Sequence, residues 1–245
     1  MLIKLSKGVH KRPFKGPFSI TRVQTGDILQ GESDDFAFGP LAVIDHAVMQ
    51  KGLTIKMHEH VNDEILSYVW KGTMYHKDSA GIEVAVTPGN LMMMNAGESF
   101  WHEEKVKEDH VEMLQIFIRP EEADLQPNIQ FAKKPIDNRN WYLMVGPVGS
   151  DAPLYVRQDV YIYDVHPEAG DELEVPIQEG YHPFLYVMDG EITVGEKFIR
   201  KYEAVTDTEN SLPPIKVIKD ATLVIFLVNL RAPMSMSGTI SGQQA

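Results

Sequence analysis

The stretch His58-Glu59-His60-Val61-Asn62-Asp63-Glu64 runs without a break into Ile65-Leu66-Ser67-Tyr68-Val69-Trp70-Lys71-Gly72. The latter segment is a short apolar run, rich in β-branched and aromatic residues and closed by a Lys-Gly turn, which reads as a strand. In the former segment His58 and His60 stand two residues apart, so in an extended chain they project to one face. Runs of the same kind recur at Leu41-Ala42-Val43-Ile44, Val84-Ala85-Val86, Leu91-Met92-Met93-Met94 and Met113-Leu114-Gln115-Ile116-Phe117-Ile118. Pro88-Gly89 and Asn95-Ala96-Gly97 break them where tight turns are needed. No helix of ten or more residues is indicated, and the chain reads as all-β.

The pattern is repeated. Leu66-Ser67-Tyr68-Val69-Trp70-Lys71-Gly72 aligns with Phe184-Leu185-Tyr186-Val187-Met188-Asp189-Gly190, and each half closes on an aliphatic strand, at 114–118 and at 224–228. Two copies of one β unit are the economical organisation. Between them, from Arg119 to Asn140, Pro120, Pro127 and Pro135 are spaced through polar residues, as in a connector. The expected division is 1–130 and 131–245. The tail after Arg231, rich in Ser, Gly, Met and Gln, is expected to be loosely held.

Composition narrows the function. With 245 residues and 43% hydrophobic content the chain can bury a large core. A net charge of −12, from 35 acidic against 23 basic residues, disfavours nucleic acid and anionic membranes as direct partners. There is no cysteine, so any metal must be held by His, Asp or Glu. The N-terminal residues lack the apolar run of a signal peptide, and no stretch of about 18 apolar residues occurs. A soluble, cytoplasmic protein is expected.

Forty residues beyond the first histidine pair lies His102-Glu103-Glu104. If the two stretches are neighbouring strands, His58 and His60 meet His102 and Glu104 around one point. Three imidazoles and a carboxylate suit Fe(II), Mn(II), Ni(II), Cu(II) or Zn(II), and open positions on a His-carboxylate iron site are what oxygen activation requires. By alternation Glu59 and Glu103 point away, Phe100 shares the ligand face and Trp101 faces outward. Glu64 is an alternative ligand or a partner hydrogen-bonded behind the ligands. His76, in Met74-Tyr75-His76-Lys77-Asp78, reads as a hydrogen-bonded turn histidine at a strand end, and Leu91-Met92-Met93-Met94 as core.

At these residues the sequence resembles the pirin family of bicupins. That family carries a His-Pro-His-Arg-Gly-Phe-Glu-type segment, a turn with Gly followed by His-x-Asp, then Pro-Gly-Asp, then Ala-Gly-x-Gly-x-x-His-x-Glu. Here these are His58 to Glu64, Gly72 to Asp78, Pro88-Gly89-Asn90 and Ala96-Gly97-Glu98-Ser99-Phe100-Trp101-His102-Glu103-Glu104. Val61 replaces an arginine and Ser99 a glycine.

The resemblance implies two tandem cupin-type β-barrels, with His58, His60, His102 and Glu104 around one divalent metal ion, usually iron, in the first. The second barrel would be degenerate: Pro176, Gln178 and His182 align with His58, His60 and Glu64, and Leu212 and Pro214 with His102 and Glu104. It would serve as a packing partner. The implied activity is that of a quercetin 2,3-dioxygenase acting on a flavonol or related small aromatic, with Glu104 as the base and Glu64 in reserve. The alternative is a metal-dependent regulatory protein that acts through a protein partner. Sugar-phosphate isomerisation is disfavoured, because no basic cluster converges on the ligand motif.

Overall fold

Apolar runs of four to eight residues, cut by Gly, Pro and Asn, become strands throughout. The computed structural model describes residues 1–29 and 35–243. Among them the only helical segments are two short 3-10 turns, Lys7–Val9 and Thr25–Leu29. Among the described residues no helix is long and apolar enough to cross a membrane.

In the first half the strands are β1 (Leu2–Leu5), β2 (Phe18–Gln24), β3 (Leu41–Met49), β4 (Thr54–His60), β5 (Glu64–Lys71) and β6 (Met74–Asp78). They continue as β7 (Glu83–Val86), β8 (Asn90–Asn95), β9 (Phe100–Val106), β10 (Val111–Ile118) and β11 (Asn128–Lys133). The second half holds β12 (Tyr142–Pro147), β13 (Leu154–Val156), β14 (Val160–Val165), β15 (Glu172–Leu173) and β16 (His182–Val194). It ends with β17 (Lys197–Arg200), β18 (Ala204–Asp207) and β19 (Ile215–Val228).

Three sheets result. A six-stranded sheet has the order β11-β8-β5-β10-β3-β2, and a four-stranded sheet the order β4-β9-β6-β7. The third, nine-stranded, runs β1-β18-β16-β19-β14-β12-β13, with β15 on β19 and β17 on β16. The six- and four-stranded sheets enclose one core that includes Ile65, Val69, Met74, Met92, Met94, Phe100, Met113 and Phe117. A second core lies inside the second half, around Leu185, Val187, Ile192, Leu223 and Ile225.

The third core joins the halves. Leu66, Tyr68, Leu91, Met93, Leu114 and Ile116 pack there with Phe184, Tyr186, Val224 and Phe226. Strands β5, β8 and β10 are therefore buried on both faces, which explains why their runs are nearly continuously apolar instead of alternating. In Leu91-Met92-Met93-Met94, the odd positions face the other half and the even positions face the interior of the first. The closing strands at 114–118 and 224–228 meet across this same layer.

Two stretches differ from expectation. The polar connector contains β11, bracketed by Pro127 and Pro135, which pairs with β8 from Asn128↔Asn95 to Lys133↔Asn90. The tail is not loose: Thr239 N donates to the Val61 carbonyl at 2.9 Å, and Ser241 is fully buried and gives its carbonyl to Arg119 Nε at 2.7 Å. The buried guanidinium of Arg119 needs acceptors, and the tail supplies one. The boundary between 130 and 131 falls within β11, while β1 at the start of the chain pairs with β18 of the second half.

Candidate metal centre

Strands β4 and β9 pair antiparallel, with His58 opposite His102 and His60 opposite Phe100. On β9 alternation is clean: Phe100, His102 and Glu104 are buried, whereas Trp101 is 42% exposed. On β4 it is not. The pairing shifts register between Ile55, which faces Glu104, and His58. The bulge adds one residue, so Ile55 and the two histidines all reach positions opposite inward side chains of β9.

The three imidazoles converge. Ring centroids are 4.4 Å apart for His58 and His102, 5.0 Å for His58 and His60, and 5.2 Å for His60 and His102. One ring nitrogen from each lies within 4.8 Å of the others. Among the described residues this is the one group so placed.

Hydrogen bonds fix two of the tautomers. His58 Nδ1 is 2.9 Å from the Lys56 carbonyl, and His60 Nδ1 is 3.1 Å from Asp63 Oδ2. Both oxygens can only accept, so Nδ1 carries the proton and the Nε2 lone pair is left free. His102 is fully buried, and neither of its nitrogens has a partner. An unpaired buried imidazole is costly, and an ion on the shared point would relieve that cost. Burial, followed by His58, His60 and His76, pushes the His102 pKa down to about 2, and burial likewise lowers that of His58. Neutral imidazoles are the form that binds a metal. The donor set fits one divalent ion.

Glu104, the fourth residue expected in the set, lies two residues along β9 from His102, but its carboxylate oxygens are outside the mutually close donor group. It is buried and accepts a hydrogen bond from Gln115 Nε2 at 2.6 Å. Burial raises its pKa to about 7, with the Gln115 bond acting in the opposite direction. Gln115 comes from β10, on the face it shares with Met113 and Phe117.

Glu64 lies elsewhere. Its Oε1 accepts from Arg157 Nε at 2.8 Å, and its Oε2 from Arg157 N at 3.0 Å and Asn95 Nδ2 at 2.5 Å. Both oxygens are engaged with residues away from the histidines. Asp63, which spacing does not single out, is the carboxylate that touches a histidine of the cluster.

His76 also differs from expectation. It sits mid-strand on β6, opposite Glu104, and is buried with neither nitrogen hydrogen-bonded. Its ring centroid is 5.4 Å from that of His102, and its Nε2 is 3.6 Å from Asp78 Oδ2. The sequence does carry a signal for this: Met74, His76 and Asp78 alternate with Tyr75 and Lys77, as inward positions of a strand do. The remaining wall is aromatic. Phe117 lies 5.8 Å from His60 and Phe100 lies 6.2 Å from His102, between ring centroids.

In the second half the aligned positions Pro176, Gln178, His182 and Leu212 line a cavity of about 290 Å³. His46 binds Tyr186 Oη and Glu112 between the halves, and His166 binds Asp164. None of these histidines joins the cluster.

Comparison with known proteins gives two family matches: Pirin over residues 17–118, and the quercetinase C-terminal cupin domain over residues 143–228. The quercetin 2,3-dioxygenase of Escherichia coli is 33% identical over 129 residues, 51% of this chain and 55% of that protein. The putative quercetin 2,3-dioxygenase PM1685 of Pasteurella multocida is 24% identical over 196 residues, 77% of this chain and 82% of that one. Among solved structures, the bacterial pirin YhhW of Escherichia coli in complex with nickel(II) superposes with a TM-score of 0.80 at 22% identity. That match covers 93% of this chain and 99% of the other. At such identity the likeness establishes the fold, a tandem pair of cupin-type β units.

Proposed function

The chain belongs to the pirin family, and from that premise we propose that it is a mononuclear metal dioxygenase of the quercetin 2,3-dioxygenase kind, working in the cytoplasm. His58, His60 and His102 hold one divalent ion, iron(II) first among the candidates, and Glu104 completes the set. The observation that carries this reading is the convergence of three imidazoles, one of them fully buried with both nitrogens unpartnered. When bound, the ion supplies Lewis acidity towards an aromatic hydroxyl and the redox capacity that dioxygen chemistry needs.

The protein's own groups do the rest. Glu104, when not coordinated, accepts the proton of the flavonol hydroxyl at a carboxylate oxygen. Gln115 holds that carboxylate by its amide, leaving Oε2 available. Phe100 and Phe117 give the substrate rings an apolar wall and keep water from the reacting face. Glu64, saturated by Arg157 and Asn95, takes no proton in this scheme.

The test is anaerobic reconstitution with Fe(II), followed by a flavonol and then oxygen. The expected result is stoichiometric oxygen uptake with loss of the flavonol absorbance. A fully metallated protein showing neither sinks the dioxygenase reading and leaves the metal-dependent regulatory one.

A further inference from the structure

The loop between the paired histidines and β5 is held by Ala96, Gly97 and Asp124 on one side and by the far end of the chain on the other. Val61 N donates to Thr239 Oγ1 at 2.8 Å, and the Val61 carbonyl accepts from Thr239 N at 2.9 Å. Asn62 Nδ2 donates to Ser237 Oγ at 2.9 Å. Asp63 Oδ1 accepts from Ser241 N at 2.9 Å and from Ser241 Oγ at 2.7 Å, while Oδ2 accepts from Ile240 N at 3.1 Å. The remaining bond of Oδ2 goes to His60 Nδ1.

Asp63 is therefore a fully buried carboxylate whose donors, other than His60, come from residues 240 and 241. A carboxylate taken out of water is tolerated only where several donors surround it. Removing those of the tail leaves His60 as its one remaining partner. The turn that delivers these donors is closely wound: a Cβ on Gly238 would stand 2.1 Å from Ser241 Oγ and 2.6 Å from Asp63 Oδ1. Glycine at 238 is what lets the tail approach.

We infer that residues 237–241 are part of the metal centre: the C-terminal segment fixes Asp63, and Asp63 fixes the tautomer and aim of His60. Asp63 is a positioning residue, acting through its bond to His60 Nδ1. It does not reach the shared point itself. The inference rests on His60 being a metal ligand, which the function proposed above also requires. Carboxylates placed behind ligating histidines typically contribute about 10- to 100-fold in metal affinity.

The experiment uses the full chain and Zn(II) as the probe, with affinity measured by chelator competition. The tautomer of His60 is read in the metal-free protein from imidazole ¹⁵N shifts. Asp63→Asn, which puts a donor where Ser241 and Ile240 also donate, should weaken Zn(II) binding about 10- to 100-fold and shift His60 away from the Nδ1-H form. Ser241→Ala removes one donor and keeps the tail backbone; it should lower affinity by a smaller factor in a protein with an unchanged melting curve, and so serves even where Asp63→Asn folds poorly. Gly238→Ala should behave like Asp63→Asn. His60→Ala is the separating control. If it leaves Zn(II) affinity intact, the ligand set itself is wrong. If it abolishes binding while folded Ser241→Ala and Asp63→Asn keep both the affinity and the tautomer, the ligand set stands and this inference is overturned.

Discussion

Arg157→Ala tests what Glu64 does. Glu64 is fully buried at the start of β5, and Arg157, from the segment after β13, meets it with its side chain only 15% exposed. The Arg157 Nη2 to Glu64 Oε1 distance is 2.7 Å. The substitution removes every donor to Oε1 and leaves Oε2 with Asn95 Nδ2 and the backbone N of residue 157. Taking one partner from a buried ion pair costs about 3–5 kcal/mol. Because half of the carboxylate keeps its donors and water can enter the vacated rim, the lower end, about 3 kcal/mol, is expected.

In a chain of this size that corresponds to a fall in Tm of roughly 6–12 °C. The pH dependence has a definite sign. Burial raises the Glu64 pKa in the folded state, with Arg157 pulling it back down. A carboxyl whose folded pKa lies above its unfolded one destabilises the fold at high pH, and this is relieved as pH falls through the folded value. Without Arg157 the rise is larger, so the penalty of Arg157→Ala should be fully developed at pH 8 and shrink towards pH 5. Urea unfolding of the chelator-treated protein at the two pH values measures this, with metal content determined in parallel on untreated samples. A cost below about 1 kcal/mol at pH 8, or one unchanged at pH 5, refutes the account of Glu64 as a tie between the halves. A folded variant that loses its metal would place Glu64 in the centre instead.

His58→Ala and His102→Ala should each lower bound metal sharply by elemental analysis. His76→Ala, whose nitrogens lie outside the mutually close set, should retain it; equal metal in all three refutes the ligand assignment. Gly97 has φ +55°, and a Cβ there would come within 2.0 Å of the Leu125 carbonyl oxygen. Gly97→Ala should therefore cost at least about 2 kcal/mol in thermal or urea unfolding, and a wild-type melting curve would contradict the turn geometry.

How much of this was legible depends on whether a residue's setting is local. Phe100, His102 and Glu104 obey strict alternation, so their inward face could be read directly. His58 and His60 could be paired for the same reason, but the bulge that sets them against β9 leaves no mark in Thr54-Ile55-Lys56-Met57. His76 was readable by the same alternation, yet its polar neighbours Lys77 and Asp78 suggested a turn. Glu64 and Asp63 were opaque because their partners are distant: Arg157 is 93 residues from Glu64, and Ser241 is 178 from Asp63. Spacing rules reach neighbours on a strand, whereas the identity of a carboxylate's donor is decided by the tertiary path of the chain.

That path gives the second half its role in the site. β1, at the very start of the chain, completes the sheet of the second half against β18, and the last residues return to clasp the loop after β4. A cut at 130/131 would strip β1 from its sheet, separate the clasp from Asp63, and expose both faces of the shared layer formed by Leu66, Tyr68, Phe184 and Phe226. Burying such an apolar layer is a large favourable contribution to both halves. The second half, which lacks a histidine cluster, therefore acts on the metal centre from behind. It supplies donors to Asp63 and through Asp63 the orientation of His60, while Arg157 ties Glu64 to the second half away from the histidines.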